Sequence, residues 1–228
     1  MNSQAKRPLI ALVSAVPGAI PPAEAAFADL YPDAIVWNIL DDRLLVEADA
    51  RGGVTPELSE RMSRLIRHAV TEGAEGILLT CSMYGPVAHA LAADIGVPLF
   101  AADDAAFEAA VTGGYGSVLL ISPAAGPLVD SVDRLRAAAV GAGVELEVTG
   151  AVADGAATAA RGGDIELLAS ILHKTVSAQD GAFDAVVLGQ YSISPGATRL
   201  AELTGLPVIA GPQKSAIAIQ AAVSGRDS

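Results

Sequence analysis

Two short segments carry the side chains with chemistry to offer. The first, TCSMYGP, follows the apolar run GILL and holds Cys81, the only cysteine of the chain, beside Ser82 and Met83. Its pattern is that of a strand-to-helix turn, with Pro86 near the first turn of a helix that runs to about Ile95. Unpaired backbone N–H groups and the positive end of a helix dipole favour thiolate over thiol at such a turn, lowering the pKa from about 8.5. The same amides can hold a carboxylate. The alternative for Cys81 is a small buried hydrophobe. The second segment, LGQYSISPG, follows AVVL and presents Gln190, Tyr191, Ser192 and Ser194 as donors and acceptors for an oxyanion. Alternatively it is an ordinary turn in which serine and glycine cap the next helix. Ser14 and Ser122 each follow the first strand of a lobe, where they cap a helix or bind a ligand carboxylate.

Other polar residues have weaker claims. WNILDDRLL places Asn38 and Asp41 just past a strand, and FAADDAAF opens a helix for which Asp103 or Asp104 is the expected N-cap. Two acidic pairs suit a divalent cation, but their spacing fixes no site, and no metal is expected. His89 is read as a surface or core histidine. Arg43 and Arg199 are candidates for a fork onto a substrate carboxylate.

Composition removes whole classes of function. Of 228 residues, 26 are acidic and 14 basic, a net charge of −12, which disfavours nucleic acid and anionic membrane as partners. Hydrophobic residues make up 52% and charged residues 18%, too apolar for a disordered chain. A single cysteine excludes a disulfide scaffold, and no Cys/His cluster has zinc spacing. Lys6, Lys174 and Lys214 are the only lysines, and none sits at an obvious strand end to form a pyridoxal Schiff base. No apolar run is long enough to span a membrane, and the stretch before Ser14 is too short for a signal peptide. The expectation is a cytoplasmic protein.

Elements that position these residues recur along the chain. Strand-length apolar runs fall at Leu9–Val13, Ile35–Leu40, Gly76–Leu79, Pro98–Ala101, Ser117–Ile121, Val144–Thr149, Ala185–Leu188 and Pro207–Ala210. Helical periodicity fills most of the gaps, as at Pro56–Glu72, Val87–Ile95 and Pro127–Ala142. The alternation predicts an α/β fold with parallel sheet, whose ligands bind at the carboxyl ends of the strands. The halves also match: Cys81 aligns with Gln190, Pro86 with Pro195 and Pro98 with Pro207, each 109 positions apart. LIALVSAVPG is echoed by VLLISPAAG, setting Ser14 opposite Ser122. The reading is a duplicated unit: residues 1–104 plus 210–228 as a first α/β lobe, 105–209 as a second, and a small-ligand cleft between their strand-end loops.

These residues resemble a known group. Two mirrored α/β lobes, ILLTCSMYGP around one strand end and VVLGQYSISPG around its counterpart, are similar to the aspartate/glutamate racemase superfamily. That group includes glutamate, aspartate and hydantoin racemases, maleate isomerase and arylmalonate decarboxylase. The resemblance implies cofactor-independent chemistry at a carbon next to a carboxylate. In the racemases two cysteines flank the substrate, one removing a proton and the other delivering one. Carried over, Cys81 matches the first cysteine, while Gln190 stands at the second and has no proton to exchange at a useful pKa. Ser14, Asn38, Ser82, Met83, Ser122, Tyr191 and Ser192 are then the expected substrate contacts, with Cys81 and Gln190 catalytic. One-thiol reactions follow: protonation after decarboxylation, addition to a double bond, or one side of an asymmetric epimerase. The alternatives are a non-catalytic protein binding a small carboxylate and a bilobal receptor. A homo-oligomer is possible, but nothing in the sequence specifies one.

Overall fold

The computed structural model describes residues 7–226; Lys6 and the start of the stretch weighed as a leader lie outside the described residues. The chain divides into two units, one running through Ala102 and resuming at Ser215, the other spanning Asp103–Lys214. Each contains one four-stranded, wholly parallel sheet.

In the first unit the elements are β1 (Leu9–Ser14), α1 (Ile20–Leu30), β2 (Ile35–Leu40), α2 (Arg43–Ala50), α3 (Pro56–Thr71), β3 (Gly76–Leu79), α4 (Gly85–Leu91) and β4 (Leu99–Phe100). The sheet order is β2-β1-β3-β4. β1 and β3 lie inside the sheet and are buried on both faces, which explains their unbroken apolar sequences. Leu44, Leu58, Met62, Ile66 and Tyr84 of the following helices and turns pack against Val13, Ile77 and Leu79 on one face. Burying each such leucine or isoleucine contributes about 1.5–3 kcal/mol. α3 shows how the sequence fixes its own orientation: Leu58, Met62, Ile66 and Ala69 form one buried stripe behind Pro56 in the first turn. Thr55 precedes that helix in an extended conformation, and Glu57 in its first turn is held below the usual carboxylate range. On the opposite face of the sheet, Gly76 admits Ile10, Ile219 and Val223 to within 3.1 Å of where a Cβ would stand.

The second unit repeats the arrangement with α5 (Asp104–Thr112), β5 (Ser117–Ser122), α6 (Ala125–Gly141), β6 (Glu147–Val152), α7 (Ala156–Arg161), α8 (Ile165–Ser177), β7 (Ala185–Leu188), α9 (Ala197–Thr204) and β8 (Val208–Ala210). Its sheet order, β6-β5-β7-β8, is the first unit's topology restated. Phe107, Val111, Val132 and Leu135 from α5 and α6 cover one face, and Ala156, Leu168, Leu172 and Leu200 cover the other. α8 begins at Asp164, whose carboxylate accepts from the Leu167 N–H at 2.9 Å. The final helix, α10 (Gly211–Ser224), starts in this unit and continues into the first.

β4 is confined to Leu99–Phe100 within its expected run, and two elements depart further from the sequence pattern. β6 starts three residues later than the apolar run suggests, because Gly143 closes α6 in the left-handed region (φ 70°) and Val144 still bonds back to Ala139. Pairing begins only where the Glu147 N–H reaches the Gly116 carbonyl at 2.9 Å. The helix after Cys81 ends at Leu91 rather than near Ile95, and a 3-10 turn (Ser82–Tyr84) precedes it. Among the described residues no helix is long and apolar enough to cross a membrane.

Candidate active site

In parallel sheets the chain leaves each strand at one edge, and the first unit collects there Ser14, the last residue of β1 rather than one past it, Asp41 after β2 and Thr80–Cys81 after β3. The ladder extends one residue past the strands: Asp41 donates its N–H to the Ser14 carbonyl at 3.0 Å, and Thr80 donates to Val13 at 3.1 Å. The hydroxyls of Ser14 and Thr80 share a buried hydrogen bond of 2.8 Å. Ser14 therefore braces the residue before Cys81 and caps no helix. Cys81 itself is extended (φ −119°, ψ 115°) and only 8% exposed. Ser82 and Met83 are half-buried in the following turn, with Met83 packed on the core.

Because α4 begins at Gly85 and is seven residues long, the polar groups next to the thiol are those of the 3-10 turn, not the end of a long helix dipole. That corrects the expectation drawn from the sequence pattern. The turn closes where the Tyr84 N–H donates to the Cys81 carbonyl at 3.2 Å. Tyr84 is fully buried, and its hydroxyl donates to the Leu44 carbonyl at 2.9 Å. Burial pushes the phenol up to about 12, and the field of Cys81 pushes it the same way, with Arg61 opposing.

The acids near this edge are already paired. Arg61 of α3 holds Asp41 at 2.5 and 2.7 Å and Glu47 of α2 at 3.1 Å. Glu47 also meets Arg43 at 2.7 Å and Arg51 at 2.9 Å. Desolvation raises its carboxyl, but Arg61, Arg43 and Arg51 together outweigh it and hold the group below the ordinary range. Arg43 is thus engaged within α2, and Arg199 on α9 is similarly bound to Glu202 at 2.8 Å and Glu166 at 3.3 Å. Neither offers an idle fork for a substrate. Asn38 lies within β2 rather than past it, and its amide donates to Glu24 of α1 at 2.6 Å. His89 is exposed on α4.

The second unit builds the same edge with different chemistry. Gly189 donates to the Ile121 carbonyl at 2.9 Å, as Thr80 does to Val13, and Ala153 donates to Ser122 at 2.9 Å, as Asp41 does to Ser14. Gln190 is extended (φ −144°, ψ 144°) and half-buried, and a 3-10 turn, Tyr191–Gly196, follows it. The Ile193 N–H donates to the Gln190 carbonyl at 3.3 Å, matching the closure at Tyr84. Within this turn Ser194 bonds the Tyr191 carbonyl at 2.8 Å, Tyr191 is buried, and Ser192 is half-buried. The Ser122 hydroxyl is buried and occupied by Ala124, donating to its carbonyl at 3.0 Å.

Asp103 stands in the capping position before α5 but makes no side-chain cap; its carboxylate meets Arg134 of α6 at 2.6 Å. Arg134 also lies over the Phe107 ring, 5.3 Å from its centroid. Burial lifts the Asp103 carboxyl above its ordinary value, with Arg134 pulling it back. The acidic pairs of the sequence are therefore split by arginines. Sequence reasoning passed over Tyr84, Thr80 and Arg61. The repeat offered a signal for the first, since Tyr84 aligns with Ile193, whereas nothing in the spacing marks Arg61 as Asp41's partner.

No protein-family model matches the sequence, and no curated protein matches it. Among solved structures the chain is similar to a glutamate racemase from Bacillus anthracis, 14% identical, covering 97% of this chain and 83% of that one at a TM-score of 0.74. It is similar to an allantoin racemase from Klebsiella pneumoniae, 16% identical, with 96% and 89% covered and a TM-score of 0.72. It is also similar to a variant of arylmalonate decarboxylase, 19% identical, with 96% and 94% covered and a TM-score of 0.65. Two parallel-sheet units of one topology give this chain an α/β fold similar to that of these racemases and the decarboxylase, the fold that the resemblance to the aspartate/glutamate racemase superfamily implies.

Proposed function

We propose that the chain is a cofactor-independent enzyme of this superfamily, acting at a carbon next to the carboxylate of a small acid, with Cys81 as its proton-transferring group. The carrying observation is the placement of the chain's only thiol in a strand-end 3-10 turn of a fold shared with racemases and a decarboxylase. As thiolate, Cys81 takes the proton from the α-carbon, and the electron pair of that bond moves onto the carboxylate to give an enediolate. As thiol, it returns a proton to such an enediolate, including one left by loss of carbon dioxide. Gln190, with its neutral amide, is assigned to orient the carboxylate and donate N–H bonds to the developing oxyanion. Ser82, Met83 and Ser192, half-buried in the two turns, are the assigned contacts for the remainder of the substrate, whereas the Ser14 hydroxyl is held by Thr80 and that of Ser122 by Ala124. A racemase- or epimerase-type isomerase is the first assignment and a one-base decarboxylase the second. Gln190 in place of a second thiol favours one further reading, a small-carboxylate-binding protein that does no chemistry.

Proton NMR in D2O separates these. Wild type and Cys81→Ala are incubated with both enantiomers of aspartate and glutamate, with hydantoins, with maleate and with substituted malonates. α-Deuteration, isomerisation or decarboxylation that vanishes in Cys81→Ala is the expected result. Binding of a panel acid without turnover, equally tight in Cys81→Ser, would establish the binding protein instead.

A further inference from the structure

The turn that carries Cys81 is tied down by a side chain that the proton chemistry above does not use. Tyr84 closes the turn through its backbone N–H on Cys81, and its buried hydroxyl reaches the Leu44 carbonyl of α2. α2 is fastened in turn, since Arg61 grips both Asp41 at the end of β2 and Glu47 within α2. A path of bonds therefore runs from Arg61 through α2 to Tyr84 and back onto the residue that bears the thiol. Cys81, Arg61, Asp41 and Glu47 are the charged or titratable groups whose fields reach the Tyr84 hydroxyl. The matching turn of the second unit has none of these parts. Ile193 stands in Tyr84's place and Ala153 in Asp41's, and the extended residue there is Gln190. The fold builds that turn without the tether, so the tether accompanies the thiol rather than the topology.

We propose that Tyr84, held on Leu44 and backed by Arg61, is a positioning residue for Cys81, fixing the thiol's orientation and the field around it. The inference rests on Cys81 being the reacting group. A buried tyrosine that only packs also satisfies its hydroxyl on a carbonyl, so the deciding readout is one that packing does not move. Because Cys81 is the only cysteine, every alkylation event in the protein reports it. Tyr84→Phe keeps the ring and removes the hydroxyl. The iodoacetamide rate is measured across pH, and the midpoint of the profile is expected to shift by about half a unit or more, roughly threefold in rate on its rising limb. Loss of packing alone would lower Tm and raise the plateau while leaving the midpoint in place, and an unmoved midpoint overturns the proposal. Should Tyr84→Phe fail to fold, Arg61→Gln decides by the same two outcomes. The alkylation needs no substrate: the tether can fail while Cys81→Ala still abolishes turnover, and the proposed function can fail while the midpoint still moves.

Discussion

The strand-end turns at Cys81 and Gln190 share a backbone and differ in almost everything else. Both begin with an extended residue, both close by a backbone bond three residues later, and both lead through a proline into a helix. Around Cys81, Thr80 and Ser14 share a hydroxyl bond, Tyr84 is bonded to α2, and an arginine with two carboxylates backs the edge. Around Gln190 the positions of Thr80, Tyr84 and Asp41 are taken by Gly189, Ile193 and Ala153, and the turn satisfies itself through Ser194. The two units share one scaffold, and their side chains give the Cys81 turn a tether that the Gln190 turn does without. The second unit keeps its own ion pair, Asp103 with Arg134, at its first residue, where it fastens α5 to α6.

The largest expected effect contrasts the two turns directly. Cys81→Ala should lower kcat by about a thousandfold or more, as for a lost acid/base, whereas Gln190→Ala should cost about ten- to a hundredfold, as for one lost oxyanion contact. Equal losses, read by steady-state kinetics on whichever panel acid turns over, would erase the distinction between the copies.

The next effect is on folding. Arg134→Met strands the buried Asp103 carboxylate and should destabilise the protein by about 3 kcal/mol at neutral pH, measured by urea unfolding. Its sign with pH follows from the raised Asp103 value. A carboxyl whose folded pKa lies above its unfolded one stabilises the fold when protonated, and that contribution is lost as pH rises through the folded value. Without Arg134 the folded value rises further, so the deficit of the variant should be smallest in acid and grow toward neutrality.

Smaller effects sharpen the contrast between Thr80 and Gly189. A Cβ at Gly189 would stand 3.0 Å from Leu120 and 3.3 Å from the Ile121 carbonyl, so Gly189→Thr should cost about 2 kcal/mol of stability through overpacking. Thr80→Val leaves the buried Ser14 hydroxyl without its partner and should cost about 1 kcal/mol. Thermal unfolding of the two variants, each compared with wild type, checks both magnitudes.

Much of the fold was readable from the chain because buried parallel strands are continuous apolar runs, and Gly76–Leu79 and Ala185–Leu188 have the bounds their sequences suggest. β6 was misread because Val144 and Leu146 are apolar yet belong to the turn that Gly143 opens, a matter of backbone sign rather than hydrophobicity. The location of Cys81 and Gln190 at matching strand ends was also legible, through the constant spacing of the repeat. Partnerships were not. Asp41 with Arg61 and Asp103 with Arg134 join residues 20 and 31 positions apart on different elements, and only the packing of helices on sheets brings them together. Asn38 is expected just past a strand, because the acidic pair Asp41–Asp42 follows so closely, but it lies inside β2, where its amide donates to Glu24 of a neighbouring helix.

One measurement tests the one-thiol account most directly: the stereochemical course of α-proton exchange in D2O, followed by NMR and chiral chromatography on a substrate that turns over. The account predicts that wild type introduces deuterium at the α-carbon, with inversion for a racemase-type reaction and with retention for a one-base exchange, and that Cys81→Ala introduces none. Exchange that persists undiminished in Cys81→Ala would contradict it.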